Sequence, residues 1–101
     1  LRKHLADGQF TEAWLPRQLD RVGVWQTRHG NLPIYVGEFG VFRKASPAEA
    51  RYRWHAFVTR QFESRGWGWA MWDYAGGFAV VGKEGDRRSI DPTMLAALGL
   101  R

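Results

Sequence analysis

The chain has 101 residues, of which 45% are hydrophobic and 25% charged. This composition suits one small folded domain with a modest core and argues against disorder. The absence of cysteine excludes disulfide bonds and thiolate metal sites. The net charge of +5 raises the question of nucleic-acid binding. Because no run of five like charges occurs and the basic residues are interspersed with acids, solvated helix faces explain the charge better.

No membrane partner is expected either, because no segment has the length and hydrophobicity of a transmembrane helix. The first residues, Leu1–Leu5, lack an initiating Met and an apolar signal core. We therefore expect the chain to be a piece of a longer protein. The six Trp, six Phe and three Tyr are compatible with sugar recognition through flat aromatic faces, and equally with a large α/β core.

The N-terminal third predicts a helix that Pro16 separates from what precedes it. Before Pro16, Phe10 and Trp14 are four residues apart, which fits either a short helix or a loop with one helical turn. After it, apolar residues recur at helical spacing, and Gly30 with Asn31 predicts the end of the helix. The apolar residues of this stripe are Leu19, Val22 and Trp25.

The next segment, residues 32–37, is short, apolar and β-branched, which predicts a strand buried on both faces. Ser46 and Glu49 flank Pro47 in the pattern of a capping box, which predicts a helix over about residues 47–64 that Gly66 terminates. Its apolar stripe is predicted to be Ala50, Trp54, Phe57, Val58 and Phe62.

Residues 67–72 predict a second strand in which large and small residues alternate, followed by a loop over residues 73–77. Residues 78–82 fit either a short strand or an ordered loop, and residues 83–89 are polar. Asp91 as the cap and Pro92 at the first position predict a last short helix. Leu95 and Leu98 of this helix are expected to face inward.

The order helix, strand, helix, strand, helix predicts an α/β architecture of parallel strands joined by helical crossovers. Two strands cannot cover both faces of a sheet and would leave unpaired edges. We therefore expect the chain to assemble with copies of itself or to be a segment of a larger barrel or wound sheet.

Glu38 is the main candidate for chemistry, because it follows an apolar strand, with Gly37 directly before it and Gly40 two residues after it. Active sites of parallel α/β proteins lie at the carboxyl ends of the strands, and glycines allow a ligand to approach closely. The alternative is a carboxylate that closes the strand and forms a salt bridge with an Arg. The residues alone favour neither interpretation.

Trp72 is predicted to lie at the same rim, at the end of the second strand, where it could support a sugar ring. The alternative for any single Trp is core packing, to which we assign Trp54, Trp67 and Trp69. Asp73 could bind a sugar hydroxyl or cap the loop, and the two remain open.

The two motifs together resemble glycoside hydrolase family 5, the cellulase family. The first is Pro-Ile-Tyr-Val-Gly-Glu-Phe-Gly over residues 33–40, and the second is Gly-Trp-Ala-Met-Trp-Asp-Tyr over residues 68–74. The resemblance implies that residues 1–101 form a single partial (β/α)8 (TIM) barrel segment. Its elements would be helix 6, strand 7, helix 7, strand 8 and helix 8.

The resemblance implies that Glu38 is the nucleophile of a retaining endo-β-1,4-glucanase and that Trp72 lines the subsite of the attacked sugar. It implies β-linked glucans or mannans as substrates, no metal or other cofactor, and a secreted or periplasmic parent enzyme. Asp73 is expected to be a further substrate contact.

The chain departs from the family at the acid/base, which is the Glu of an Asn-Glu pair at the end of strand 4. The only Asn here is Asn31, and Leu32 follows it. A full barrel needs about 250 residues. We therefore expect a fragment that carries the nucleophile, lacks the acid/base and is inactive or feeble alone. The alternative is a non-catalytic fragment that self-associates or binds sugars.

Overall fold

A computed structural model of the protein describes residues 12–100. Its contacts divide the described residues into two compact units, one ending at Ile34 and the other beginning at Tyr35. Across residues 12–100, no helix combines the length and the hydrophobicity needed to cross a membrane.

The first unit is built on helix α1 (Trp14–Arg28). The expected break at Pro16 is wrong, because Pro16 is the third residue of the helix. The first-turn amides of a helix have no intrahelical acceptor, so a proline there removes no hydrogen bond. The helix ends as predicted, with positive φ angles of 73° at Gly30 and 56° at Asn31. The predicted neighbour Phe10 lies outside the described residues.

The second unit contains four strands and two α-helices. In chain order they are β1 (Tyr35–Phe39), a 3-10 turn (Arg43–Ala45), α2 (Ala48–Glu63), β2 (Gly68–Met71), β3 (Val81–Glu84), β4 (Arg87–Ile90) and α3 (Pro92–Ala97). As predicted, β1 and β2 are parallel and α2 is the crossover between them. The expectation that β1 is buried on both faces is wrong: Tyr35 is 67% exposed, because among the described strands only β2 pairs with β1.

Helix α2 has nearly the predicted bounds, but its predicted capping box is wrong. The hydroxyl of Ser46 donates to the carbonyl oxygen of Phe42 at 2.9 Å, and Pro47 occupies the N-cap position without a side-chain cap. The serine is therefore used to close the preceding turn instead of the helix.

The buried face of α2 also differs from the predicted stripe. Val58 and Phe62 are buried as expected, whereas Ala50 is exposed and Trp54 is 38% exposed. The remaining buried positions are polar: Arg51, His55 and Thr59. Among the tryptophans assigned to the core, Trp67 is buried and Trp69 is half-buried.

Residues 81–90 form an antiparallel hairpin of β3 and β4, which the polar sequence left undecided. Gly85 begins its two-residue turn with a φ of 58°, and a positive φ at this position matches the right-handed twist of paired strands.

The last helix is as predicted. The Asp91 carboxylate accepts hydrogen bonds from the amides of Thr93 and Met94, both at 3.1 Å. Leu98 is buried and Leu95 half-buried, and the sequence analysis overlooked the fully buried Met94.

Candidate active site

The strand that carries Glu38 contains a β-bulge. Val36 pairs with Trp69 and Phe39 pairs with Met71. Two residues of β1, the second of them Glu38, therefore lie opposite a single residue of β2. An extra residue of this kind changes the direction in which the following side chains point.

The bulge separates Glu38 from the helix-facing side of the sheet. Phe39 packs against Phe62 of α2 with ring centroids 5.3 Å apart and against Trp69 at 5.6 Å. Val36 shares this side, because it pairs with Trp69. In a regular strand, residues two apart share a face, so the side chain of Glu38 would point toward α2 as that of Val36 does. Because of the bulge, the side chain of Phe39 points toward α2 instead.

Glu38 and Trp72 meet in one open cleft of about 340 Å³ at the carboxyl ends of β1 and β2. Its lining residues are Glu38, Phe39, Gly40, Trp72 and Phe78. The carboxylate is accessible and Trp72 is 51% exposed. The Trp72 amide donates to the Phe39 carbonyl oxygen at 2.7 Å, and this bond fixes the two strand ends together. The arrangement can present a carboxylate beside a flat apolar surface.

Asp73 is not among the residues that line this cleft. Its Oδ1 accepts a hydrogen bond from the Gly76 amide at 2.9 Å, and its own carbonyl oxygen accepts from the Val80 amide at 3.2 Å. The peptide bond between Trp72 and Asp73 is cis. The carboxylate thus closes the loop that follows β2, and its proposed contact with a sugar stays a prediction.

Phe78 is the lining residue that sequence reasoning missed. Its ring packs against Phe42 with centroids 5.5 Å apart, and both rings come from the loops that follow the two parallel strands. The available signal was an aromatic residue directly after Gly76 and Gly77, in a loop that leaves the carboxyl end of a strand. Such loops hold the site residues of parallel α/β proteins.

A second group of polar residues lies on the buried side of α2 and is not part of the lining of the cleft. His55 is 0% exposed, and its Nδ1 lies 2.7 Å from the carbonyl oxygen of Arg51. Because a carbonyl only accepts, Nδ1 carries the proton. Burial lowers the pKa of His55. Tyr52 Oη donates to Asp91 Oδ2 at 2.8 Å, and this hydrogen bond is the main reason that the pKa of Tyr52 is raised.

Nothing in this part of the chain resembles a metal centre. Within residues 12–100, no three His, Asp or Glu side chains cluster closely enough to hold an ion.

No model of a protein family matches the chain, and no curated protein does. Solved structures do match. The Cel5A endoglucanase of Thermotoga maritima superposes with a TM-score of 0.76 at 34% identity, over 86% of this chain and 27% of that one. The cellulose synthase subunit Z (CcsZ) of Clostridioides difficile superposes with a TM-score of 0.77 at 31% identity, over 86% and 28% of the two chains.

The fold therefore has the form of part of a cellulase-like glycoside hydrolase. More specifically, the resemblance to the C-terminal part of glycoside hydrolase family 5, carried by residues 33–40 and 68–74, is confirmed. The chain spans about a quarter of the length of the solved structures that it matches.

Proposed function

We propose that this chain supplies the nucleophile side of a retaining β-glycosidase active site, with Glu38 as the nucleophile and Trp72 as the sugar platform. One observation carries the proposal: Glu38 and Trp72 line the same cleft at the carboxyl ends of two parallel strands. Catalytic groups of α/β barrels lie at these strand ends. The bulge in β1 supports the assignment, because it keeps the Glu38 side chain out of the core.

In the proposed reaction, a carboxylate oxygen of Glu38 forms a bond to the anomeric carbon of the sugar. The bond between that carbon and the glycosidic oxygen breaks, and the leaving oxygen takes a proton from an acid. Water then attacks the anomeric carbon and releases Glu38, and its proton returns to the same group, now acting as a base. Retention of configuration follows from the two displacements.

The acid/base is proposed to come from outside residues 12–100. Among the described residues that line the cleft, Glu38 is the only one with a carboxyl group. A retaining enzyme needs a second carboxyl group roughly 5–5.5 Å from the first. In this proposal β1 and β2 correspond to strands 7 and 8 of a (β/α)8 barrel, and a segment corresponding to strand 4 supplies the second group.

The proposed substrate is a β-linked oligosaccharide or polysaccharide. Thermotoga maritima Cel5A has been solved in complex with cellobiose and with mannotriose. The half-exposed Trp72 offers a flat face of the kind that stacks on a pyranose ring. The accessible Glu38 carboxylate beside it is available to hydroxyl groups and to the anomeric carbon.

The test uses a substrate that needs no acid catalyst. A 2-deoxy-2-fluoro-β-cellobioside with 2,4-dinitrophenolate as its leaving group requires no protonation of that group, because dinitrophenolate is a weak base. The fluorine slows the second step, so the glycosyl–enzyme ester accumulates. We expect the chain to release dinitrophenolate in a burst no larger than one equivalent, and mass spectrometry to place the sugar on Glu38.

Two variants complete the experiment. Glu38→Gln should abolish both the burst and the label, because an amide is a poor nucleophile. Glu84→Gln, which removes an exposed carboxylate in the hairpin, should leave both unchanged. Sugar attached to another residue, or a burst that survives in Glu38→Gln, would contradict the assignment of the nucleophile.

A second proposal, association through the sheet, concerns the unpaired edges of β1 and β2. Among the described strands each of the two has only the other as a partner, and Tyr35 exposes two thirds of its surface. Unpaired edges and exposed aromatic residues favour association with further strands. We expect the 11.6 kDa chain to sediment as a dimer or larger species, and sedimentation as a monomer at 100 μM would count against this.

A further inference from the structure

Gly40 directly follows β1 and touches the backbone of Trp72. A Cβ atom built on Gly40 would collide with the Trp72 carbonyl oxygen, and it would lie 3.3 Å from the Trp72 carbonyl carbon and 3.4 Å from Cδ1 of Phe78. We propose that Gly40 is a positioning residue. It lets the backbone of Trp72 lie against the end of β1 and thereby fixes the separation of Trp72 from Glu38.

The β1 side of this contact cannot move away from an added methyl group. Phe39, the neighbour of Gly40, is held by its ring contacts with Phe62 and Trp69 on α2 and β2. Its carbonyl oxygen is also the acceptor for the Trp72 amide at 2.7 Å. A side chain on Gly40 would therefore push Trp72 and break this hydrogen bond.

The loop side is equally constrained. Phe78 packs on Phe42, and a Cβ on Gly77 would lie 2.6 Å from Cε2 of Phe42. The loop is closed by the hydrogen bond from the Val80 amide to the Asp73 carbonyl oxygen. Phe39 on the strand side and Phe78 on the loop side therefore have no space into which they could move. An added methyl group on Gly40 would displace Trp72, which is the most exposed of the three residues.

The effect of this displacement on catalysis rests on the proposed role of Glu38 as the nucleophile. The structural role of Gly40 does not depend on that proposal. An attacking group must be held close to its target in a defined direction, and a misplacement of about 1 Å can cost about a hundredfold in rate. Gly40 thus acts on the reaction through Trp72 and does not touch the substrate's reacting atoms itself.

The test compares Gly40→Ala with Gly23→Ala in α1. A Cβ on Gly23 would have no neighbour within 4 Å. The first readout is hydrogen exchange of the Trp72 amide, measured by NMR. Because overpacking disrupts a contact of this kind, we expect exchange to accelerate roughly ten- to a hundredfold in Gly40→Ala, with the amides of α3 unchanged. Gly23→Ala should exchange at Trp72 as the parent chain does.

The second readout is the rate at which the fluorocellobioside labels Glu38. We expect a loss of at least roughly tenfold in Gly40→Ala and none in Gly23→Ala. Unchanged exchange at Trp72 in Gly40→Ala would overturn the positioning role, and so would accelerated exchange with a full labelling rate. If the parent chain is not labelled at all, the proposed function fails, whereas the exchange data still decide whether Gly40 holds Trp72.

Discussion

The hydroxyl of Tyr52 on α2 donates a 2.8 Å hydrogen bond to the carboxylate of Asp91, which lies 39 residues later in the chain and caps α3. The other carboxylate oxygen accepts from two amides of α3, and Arg51 Nη2 lies 3.9 Å from Oδ2. One side chain therefore caps a short helix and also ties it to the crossover helix of the sheet.

Replacement of Asp91 should be among the most destabilising polar changes in the second unit. Asp91→Ala removes the cap, which is worth about 1 kcal/mol. It also leaves the Tyr52 hydroxyl without its acceptor and the buried Arg51 without its ion-pair partner. We expect a total loss of about 2–4 kcal/mol in the free energy of unfolding. Urea denaturation followed by circular dichroism measures it. Asp91→Asn keeps the capping oxygen and should lose less, and an equal loss in both would show that the cap contributes nothing.

Tyr52→Phe isolates the hydrogen bond to Asp91. We expect a loss of about 1–2 kcal/mol in the free energy of unfolding, since the acceptor is charged. Tyr74→Phe, at an exposed position, is the matched control and should change it little. Because the pKa of Tyr52 is raised in the folded state, its contribution is complete below pH 10 and declines as the pH rises above that value. Tyr52→Phe should remove this alkaline decline.

His55 makes the second unit sensitive to acid. Its pKa is lowered from 6.5, mainly by burial and also by the charge of Arg51. The unfolded chain therefore binds the proton first, so the contribution of His55 to stability is complete above about pH 6.5 and declines as the pH falls. We expect His55→Asn to flatten the decline in melting temperature between pH 7 and pH 5. The exposed His29, replaced in the same way, should leave the decline as it is.

Gly77→Ala tests the packing of the loop that carries Phe78. The added methyl group would lie 2.6 Å from the Phe42 ring, and overpacking of this kind costs about 1–3 kcal/mol. Thermal denaturation of the single variants and of Gly77→Ala with Phe42→Leu measures the coupling between the two residues. The smaller leucine should recover part of the loss. A double variant whose loss equals the sum of the single losses would show that the two side chains do not interact.

The local signals in the sequence were sufficient where one short segment decides the structure. Asp91 before Pro92 predicted the cap of α3. The strands β1 and β2, with a helix between them, were predicted to be parallel, and they are. The hairpin of β3 and β4 was not predicted, because its exposed polar residues do not alternate with apolar ones. Its pairing depends on Gly85 in the turn and on contacts across the two strands.

Two residues in and before α2 were predicted less well. Ser46 has the local pattern of a cap, but its hydroxyl donates to the carbonyl oxygen of Phe42, four residues earlier, which the capping pattern does not encode. Trp54 has the hydrophobicity of a core residue, yet it is 38% exposed and the adjacent His55 is fully buried, although both rings lie near Phe39, with centroids 6.2 and 6.1 Å away. The burial of His55 in place of Trp54 arises from packing between elements, which a periodicity within one element does not contain.

The sequence by itself determined the type and order of the elements and placed Glu38 and Trp72 at the ends of two neighbouring parallel strands. Short-range propensities, caps and apolar patterns suffice for that. Only the tertiary structure decided which way Glu38 points, because a β-bulge depends on pairing with β2 and leaves no mark in the residue pattern. It also brought Phe78 to the cleft and Gly40 against Trp72, since these contacts join segments that are separated by more than thirty residues in the chain.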